Sequence, residues 1–301
     1  MPPPTLIGIG MVKNEADIIE AFVRHNLHYL DELWLLENNS LDSTPHHLAR
    51  LTEEGLALRT IPDPTFTYNQ SAKITALYKQ VLLERHPTYI IPLDADEFIQ
   101  SPSREALHKT LSVIRPNQVG HWLWRTCVPA DTNSLHIPTR FALARKHEAL
   151  RHGKIVIRCP HSDPTATIAQ GYHALTRNTK KVRTIPLPSA YLAHIPIRST
   201  QQLAQKAILG WMANVAHFKT TTPACGFHWG DLYNRALDLS DTDLLHEAYN
   251  YSERPGTTNH DLMPSALHLH GPGQLESAGT LDHKQLLHLV CRSWETSLLS
   301  Q

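Results

Sequence analysis

Net charge is the first thing missing. Lys and Arg number 28 and Asp and Glu number 28, so the 301-residue chain is formally neutral when histidine is neutral. No excess of one sign is available to hold nucleic acid or an anionic membrane, and no nucleic-acid partner is expected. The four cysteines, at 127, 159, 225 and 291, form no Cys-x-x-Cys pair. That excludes a zinc or redox site of that type and points to free thiols in a reducing compartment. No apolar run reaches the ~20 residues of a membrane span, and no basic stretch followed by an apolar run opens the sequence. A cytoplasmic protein without a signal peptide is expected. Walker loops, His-Glu-x-x-His and Gly-x-Ser-x-Gly are also absent. What is present in excess is histidine, 21 residues, so the charge of the chain swings positive just below neutrality. The hydrophobic share of 41% is ample for a core and excludes wholesale disorder.

Apolar runs at 5–12, 30–36, 56–61 and 89–93 have strand length. Between them, 16–27 and 74–85 carry apolar residues at helical spacing. Asp42, Ser43 or Thr44 is placed to cap a further helix, with Pro45 in its first turn. This alternation predicts a parallel α/β sheet. After residue 115 the pattern loosens. Strands are expected at 120–128, 154–158 and 191–197, and helices from 200 onward, including 241–251 and 283–299. The division expected is a catalytic α/β domain over 1–200 and a helical C-terminal region over 201–301. His46 and His47 fall on a surface helix, and His268-x-His270 precedes the Gly271-Pro272-Gly273 turn.

Open α/β sheets bind ligands at the carboxyl ends of their strands. Three polar clusters fall there: Lys13-Asn14-Glu15, Glu37 through Asp42, and Asp94-Ala95-Asp96-Glu97. One would be ordinary turn chemistry, but three in succession converge on a single crevice. Asp94 and Asp96, two residues apart at a strand end, suit Mg²⁺ or Mn²⁺, which take hard oxygen ligands. The alternative for such a pair is a solvated turn. Lys154 and Arg158 alternate along a strand and share a face, which meets either phosphate, acceptor or solvent.

Met11-Val12-Lys13-Asn14-Glu15-Ala16-Asp17-Ile18-Ile19, Glu37-Asn38-Asn39-Ser40-Leu41-Asp42-Ser43-Thr44 and Leu93-Asp94-Ala95-Asp96-Glu97-Phe98-Ile99, at these spacings, resemble family-two-like glycosyltransferases of the GT-A fold. The match is to a bacterial branch with MVKNEADI and DADEF motifs. Gly153-Lys154-Ile155-Val156-Ile157-Arg158-Cys159-Pro160, Gly171-Tyr172-His173 and His194-Ile195-Pro196-Ile197-Arg198-Ser199 resemble later stretches of that branch. The resemblance spans about residues 5 to 210. It departs at Glu37 and Ser43, where the family commonly has Asp and Gly.

The resemblance implies a GT-A-like, Rossmann-like mixed and mainly parallel sheet flanked by helices. It implies metal-dependent transfer of a sugar, with inversion, from a UDP- or GDP-type nucleotide-sugar donor to a glycan or glycolipid acceptor, as in cell-surface polysaccharide assembly. Val12, Asn14, Glu15 and Asn38 would line the nucleoside pocket and Asp42 would lie near base or ribose. Asp94 and Asp96 would hold Mn²⁺ or Mg²⁺, with His194 as third ligand; the alternative for His194 is a half-buried structural histidine. Lys73, read as a loop residue before the helix leading to Asp94, would meet the diphosphate or remain solvated. Arg198 would serve the diphosphate or the end of the following helix. His173 is the preferred base for the acceptor hydroxyl, because an imidazole needs no tuning to work near neutrality; the alternatives are a residue supporting the metal ligands from behind or a loop-packing residue. Asp96 is the other residue expected to act in catalysis.

Two rivals stand beside this reading. A nucleotidyltransferase on a related sheet would want a basic, Gly-rich early loop, and Gly8 to Lys13 is a poor one. A non-enzymatic, His-rich metal-binding or interaction protein would bind several metal equivalents without nucleotide. Trp211, Trp229 and Trp294 fit a C-terminal region that covers the acceptor site, dimerises, or touches a membrane surface peripherally; core packing is their simpler use. Oligomeric state is left open.

Overall fold

The computed structural model describes residues 5–65, 69–116, 118–148, 153–218, 233, 240–250 and 261–276. Its frame is a mixed sheet whose site-bearing half is parallel, flanked by helices. β1 (Leu6–Val12) pairs in parallel with β2 (Glu32–Glu37) on one side and β4 (Tyr89–Pro92) on the other, and β3 (Leu58–Pro62) extends the sheet beyond β2. Every residue of β1 is buried, as expected of a parallel strand covered on both faces. Its side chains alternate between two cores. Leu6 joins Phe22, Leu33 and Phe98, while Ile7 and Ile9 join Trp34, Ile74 and Tyr78. The connections are α1 (Ile19–Leu27), α2 (Thr44–Glu53) and α3 (Gln70–Arg85). This is the strand–helix alternation read from the sequence, and the carboxyl ends of β1, β2 and β4 open on one side.

β5 (Glu97–Gln100) turns back directly after the Asp94–Asp96 segment and was not foreseen. α1 positions it: Asn26 donates to Glu97 O at 3.0 Å and accepts from Ile99 N at 3.0 Å, and buried His25 bonds Ile99 O at 2.7 Å. After α4 (Arg104–Leu111), β6 (Val119–Val128) carries most of the second half of the sheet. α5 (Ile137–Arg140) and β7 (Leu143–Arg145) follow it. β8 (Gly153–Arg158) lies antiparallel between β6 and β4. β9 (Ala166–Ile168), β10 (Leu175–Arg177) and β11 (Lys180–Lys181) form a separate three-stranded sheet, and β12 (Thr184–Pro186) returns to β6. β13 (Tyr191–His194) then inserts between β5 and β6, with His194 opposite both Glu97 and Thr126.

Three readings need correction. Lys73 is inside α3, because Asn69 accepts from Ala72 N and starts the helix ahead of it. His47 faces inward from α2 and is buried. The C-terminal region is helical over α6 (Thr200–Phe218) and α7 (Asp241–Asn250), but 261–276 is not. There β14 (Leu262–Pro264) pairs with β7, and the following segment crosses α1. His268 exchanges backbone bonds with the Gln100 side chain, His270 N donates to His25 Nδ1, and Glu276 N donates to Asp17 O. Four of the histidines gather here, His25, His28, His268 and His270, and the rings of His28 and His270 stack at 3.5 Å. The helix expected at 283–299, and Trp229 and Trp294, lie outside the described residues. No described helix is long and apolar enough to cross a membrane.

Candidate active site

The loops after β1 and β2 are laced together by side chains read as nucleoside contacts. Asn14 takes the left-handed conformation (φ 55°), which asparagine tolerates. Its Oδ1 accepts from Leu41 N at 2.7 Å and its own N–H donates to Ser40 Oγ. Asp42 accepts from Ala16 N at 3.0 Å and Thr44 N at 2.9 Å, which ties the first loop to the start of α2. Asn38 sits at the end of β2, with its N–H on Val12 O and its amide on Asp63 and Thr65. Lys73 reaches Asp63 at 2.7 Å from the first turn of α3. Lys13 stands beside Lys73, Glu37 and Asp63, and burial first, then Lys73, brings its pKa down to about 8. Two buried amide atoms here, Asn14 Nδ2 and Asn38 Oδ1, find no hydrogen-bond partner among the described residues. Such atoms cost about 1–3 kcal/mol each when left unmet and mark a place where a ligand or water is wanted.

The carboxylates after β4 meet cations from three distant elements. Asp94 accepts from Lys154 on β8 and from Gln70 on α3 at 3.2 Å. Gln70 in turn accepts from Gly171 N at 2.8 Å, so one amide joins Asp94 to the loop carrying His173. Glu97 lies 3.1 Å from Lys154 Nζ and caps Asp94 N at 3.0 Å. Asp96 accepts from Lys206 on α6 at 3.0 Å and faces His194 Nε2 at 3.6 Å. Arg198 is 1% exposed and forks onto Asp17, at 2.7 and 2.9 Å, and onto Glu15. It stands just before α6, where its backbone N–H bonds Gln202 Oε1 at 3.1 Å, but its guanidinium is taken up by the two carboxylates. It clamps the β1 loop to the segment after β13.

Burial sets the protonation of this cluster, opposed by its ion pairs. Burial raises Glu97 to about 8 even though Lys154 pulls it down, and it raises Glu15 to about 7 against Arg198 and Lys206. Burial works the same way on Asp96, but Lys206, His194 and Arg198 outweigh it and hold the carboxyl well below its usual range. His194 is brought down to about 4, chiefly by burial, and so is neutral at physiological pH. With Glu97 protonated at neutral pH and Glu15 raised to about 7, the carboxylates Asp17, Asp94 and Asp96 meet Arg198, Lys154 and Lys206 among the described residues.

Asp96 and the neutral imidazole of His194, 3.6 Å apart, are donors of the kind that suit a divalent cation. The structure brings Asp96 and His194 together; it holds Asp94 against Lys154 instead, so these three do not gather within one coordination sphere. Among the described residues the three side chains that do so are Glu20, His47 and Glu276, and there Arg24 and Arg50 already neutralise Glu20.

His173 lies one aromatic ring away. Its Nδ1 meets Gly153 O at 2.6 Å. A carbonyl only accepts, so Nδ1 carries the proton and Nε2 is the basic nitrogen of the neutral ring. Trp124 on β6 stacks on His194 at 4.3 Å and meets His173 edge-on at 5.8 Å. Lys206, Gln70, Trp124 and Asp63 were not read as site residues. Lys154, read as facing phosphate, acceptor or solvent, and Glu97, read within the strand-end cluster, meet each other instead, since a buried charge requires a partner.

The chain matches no family model and no curated protein. Among solved structures it is remotely similar to the mannosyltransferase PcManGT from Pyrobaculum calidifontis in complex with GDP-Man and Mn²⁺. That match has 15% identity, covers 81% of this chain and 73% of the other, and has a TM-score of 0.41. S. aureus TarS 1-349 matches at 10% identity over 83% and 76% of the two chains, with a TM-score of 0.34. Glucosyl-3-phosphoglycerate synthase from Mycobacterium tuberculosis matches at 18% identity over 40% and 44%, with a TM-score of 0.28.

Proposed function

We propose that the chain is a glycosyltransferase that moves a sugar, with inversion, from a UDP- or GDP-type donor to a glycan or glycolipid acceptor. The observation that carries this reading is the buried carboxylate–lysine cluster at the carboxyl ends of parallel strands, beside loops laced by Asn14, Asn38 and Asp42 in which Asn14 Nδ2 and Asn38 Oδ1 lack a partner among the described residues. The sequence motifs point the same way. The nucleoside lies against Val12, Asn14, Glu15, Asn38 and Asp42, with Lys73 and Lys13 beside it. Asp96 and His194 would hold Mn²⁺ or Mg²⁺, joined by Asp94 when Lys154 yields it. When bound, the cation supplies charge neutralisation to the diphosphate leaving group.

The chain's own residues do the rest. The acceptor oxygen forms a bond to the anomeric carbon as the bond from that carbon to the diphosphate breaks. The nucleoside diphosphate leaves with the electron pair. The acceptor's proton passes to His173 Nε2, whose tautomer the Gly153 carbonyl maintains. Arg198 acts as a positioning residue by holding Glu15 and Asp17 against the segment that carries His194. The test is release of nucleoside diphosphate from a panel of UDP- and GDP-sugars with Mn²⁺. Turnover of at least one donor, lost in Asp96→Asn, is expected; no turnover and no binding across the panel overturns the reading.

A further inference from the structure

A cavity of about 960 Å³ has Trp124 and His173 in its wall. Trp124 stacks on His194 and His173 is the proposed base, so the cavity adjoins the proposed reacting centre. Its floor and rim are strongly cationic. Arg125, Arg145, Lys146 and Lys181 line it, and Glu148 is the one carboxylate among the described lining residues. Glu148 is already engaged: it accepts from Thr126 N at 2.7 Å and lies 3.5 Å from Arg145. Arg145 is 1% exposed and is taken up by Glu148, so the cations left to face the cavity are Arg125, Lys146 and Lys181. Lys146 is exposed on the rim and Lys181 is exposed on β11. Tyr191, with Arg125 above its ring at 4.2 Å, adds a second aromatic wall beside Trp124, the kind of flat apolar surface that takes the face of a sugar.

A neutral glycan acceptor would give this charge nothing to do. We infer that the cavity is the acceptor subsite and that the acceptor is a sugar bearing an oxyanion, a phosphate or a carboxylate. Arg125 and the rim lysines meet the anion, and the ring lies against Trp124 and Tyr191. That arrangement leaves a sugar hydroxyl directed past Trp124 toward His173. The assignment rests on the glycosyltransferase reading for the word acceptor, but the binding chemistry stands on the cavity alone.

The test is titration calorimetry of the full chain with glucose 6-phosphate, glucuronate, glucose and inorganic phosphate, each alone and with saturating UDP or GDP. One or both anionic sugars should bind at least about tenfold more tightly than glucose, the scale of one charge-assisted hydrogen bond. Which of the two does so names the source of the oxyanion. The exposed pair Lys146→Gln with Lys181→Gln should remove about tenfold of that preference without changing the binding of glucose or of UDP and GDP. Equal binding of glucose, no sugar binding at all, or inorganic phosphate binding as tightly as glucose 6-phosphate overturns the proposal. So does displacement of the sugar phosphate by UDP or GDP, which would make the cavity part of the donor site. Failure of both nucleotides to bind, with sugar phosphate still bound, sinks the glycosyltransferase reading and leaves the anionic-sugar site standing.

Discussion

Replacing Lys154 with methionine is the sharpest perturbation of the central cluster. The side chain is 1% exposed, its ammonium sits on Asp94 and 3.1 Å from Glu97, and it lies over the Tyr172 ring at 4.8 Å. Methionine keeps the length and the contact with Tyr172 but removes the charge. Breaking one partner out of a buried ion pair costs about 3–5 kcal/mol. The lower end applies here for two reasons. Asp94 keeps 30% of its side chain in solvent, and Glu97, already raised to about 8 by burial, escapes the penalty by holding a proton. The expected loss is therefore about 3 kcal/mol at pH 8 and above, which lowers Tm by roughly 5–10 °C for a chain of this size. It should shrink at pH 6, where Glu97 is protonated and the missing cation is less needed. Thermal melts of variant and parent at pH 6 and pH 8.5 measure both effects. A variant that melts with the parent, or a loss of the same size at both pH values, would refute the account of Lys154 as the counterion of this cluster.

Gly10→Ala should destabilise by about 1–3 kcal/mol, because its Cβ would lie 2.6 Å from Leu93 O, next to Asp94, and backbone cannot give way cheaply; urea melts measure it. Burial depresses His25 to about 3 and His194 to about 4, against an ordinary 6.5. Their contribution to stability is complete above pH 6.5 and is lost as pH falls toward those values, since the unfolded chain then binds the protons. The raised carboxyls Glu97 and Glu15 run the other way, so the measurement is a comparison: His25→Asn should flatten the fall in Tm between pH 6.5 and 4 relative to the parent. His173→Gln should lower kcat by roughly 10²–10⁴, the usual scale of general base catalysis, while leaving the affinity for UDP and GDP intact; a change confined to KM would exclude it as the base.

What could be read from residues alone follows the physics of parallel sheets. Strands buried on both faces are continuous apolar runs, so β1, β2 and β4 stand out, and the polar residues that end them mark the crevice. Asp94, Asp96 and His194 were singled out this way, through strand ends and motif. β5 was hidden because Glu97 and Gln100, polar at both ends of a four-residue strand, look like turn chemistry until α1 and β13 bury them. Lys206 carried no local signal, since it meets Asp96 across 110 residues of chain. Arg198 was recognisable as important, but its partners Asp17 and Glu15 lie more than 180 positions away, so sequence spacing could not choose between a ligand and a clamp. The segment 261–276 has neither helical nor strand period, and its hold on α1 depends on His25, Gln100 and Asp17, which only the fold brings to it.

The account stands most directly on whether the cluster after β4 binds a nucleoside diphosphate together with a divalent cation. Calorimetric titration of Mn²⁺ into the chain saturated with UDP or GDP should show one equivalent bound, far more weakly without nucleotide, and lost in Asp96→Asn. Failure of both nucleotides to bind, or Mn²⁺-dependent binding that survives Asp96→Asn unchanged, would contradict it.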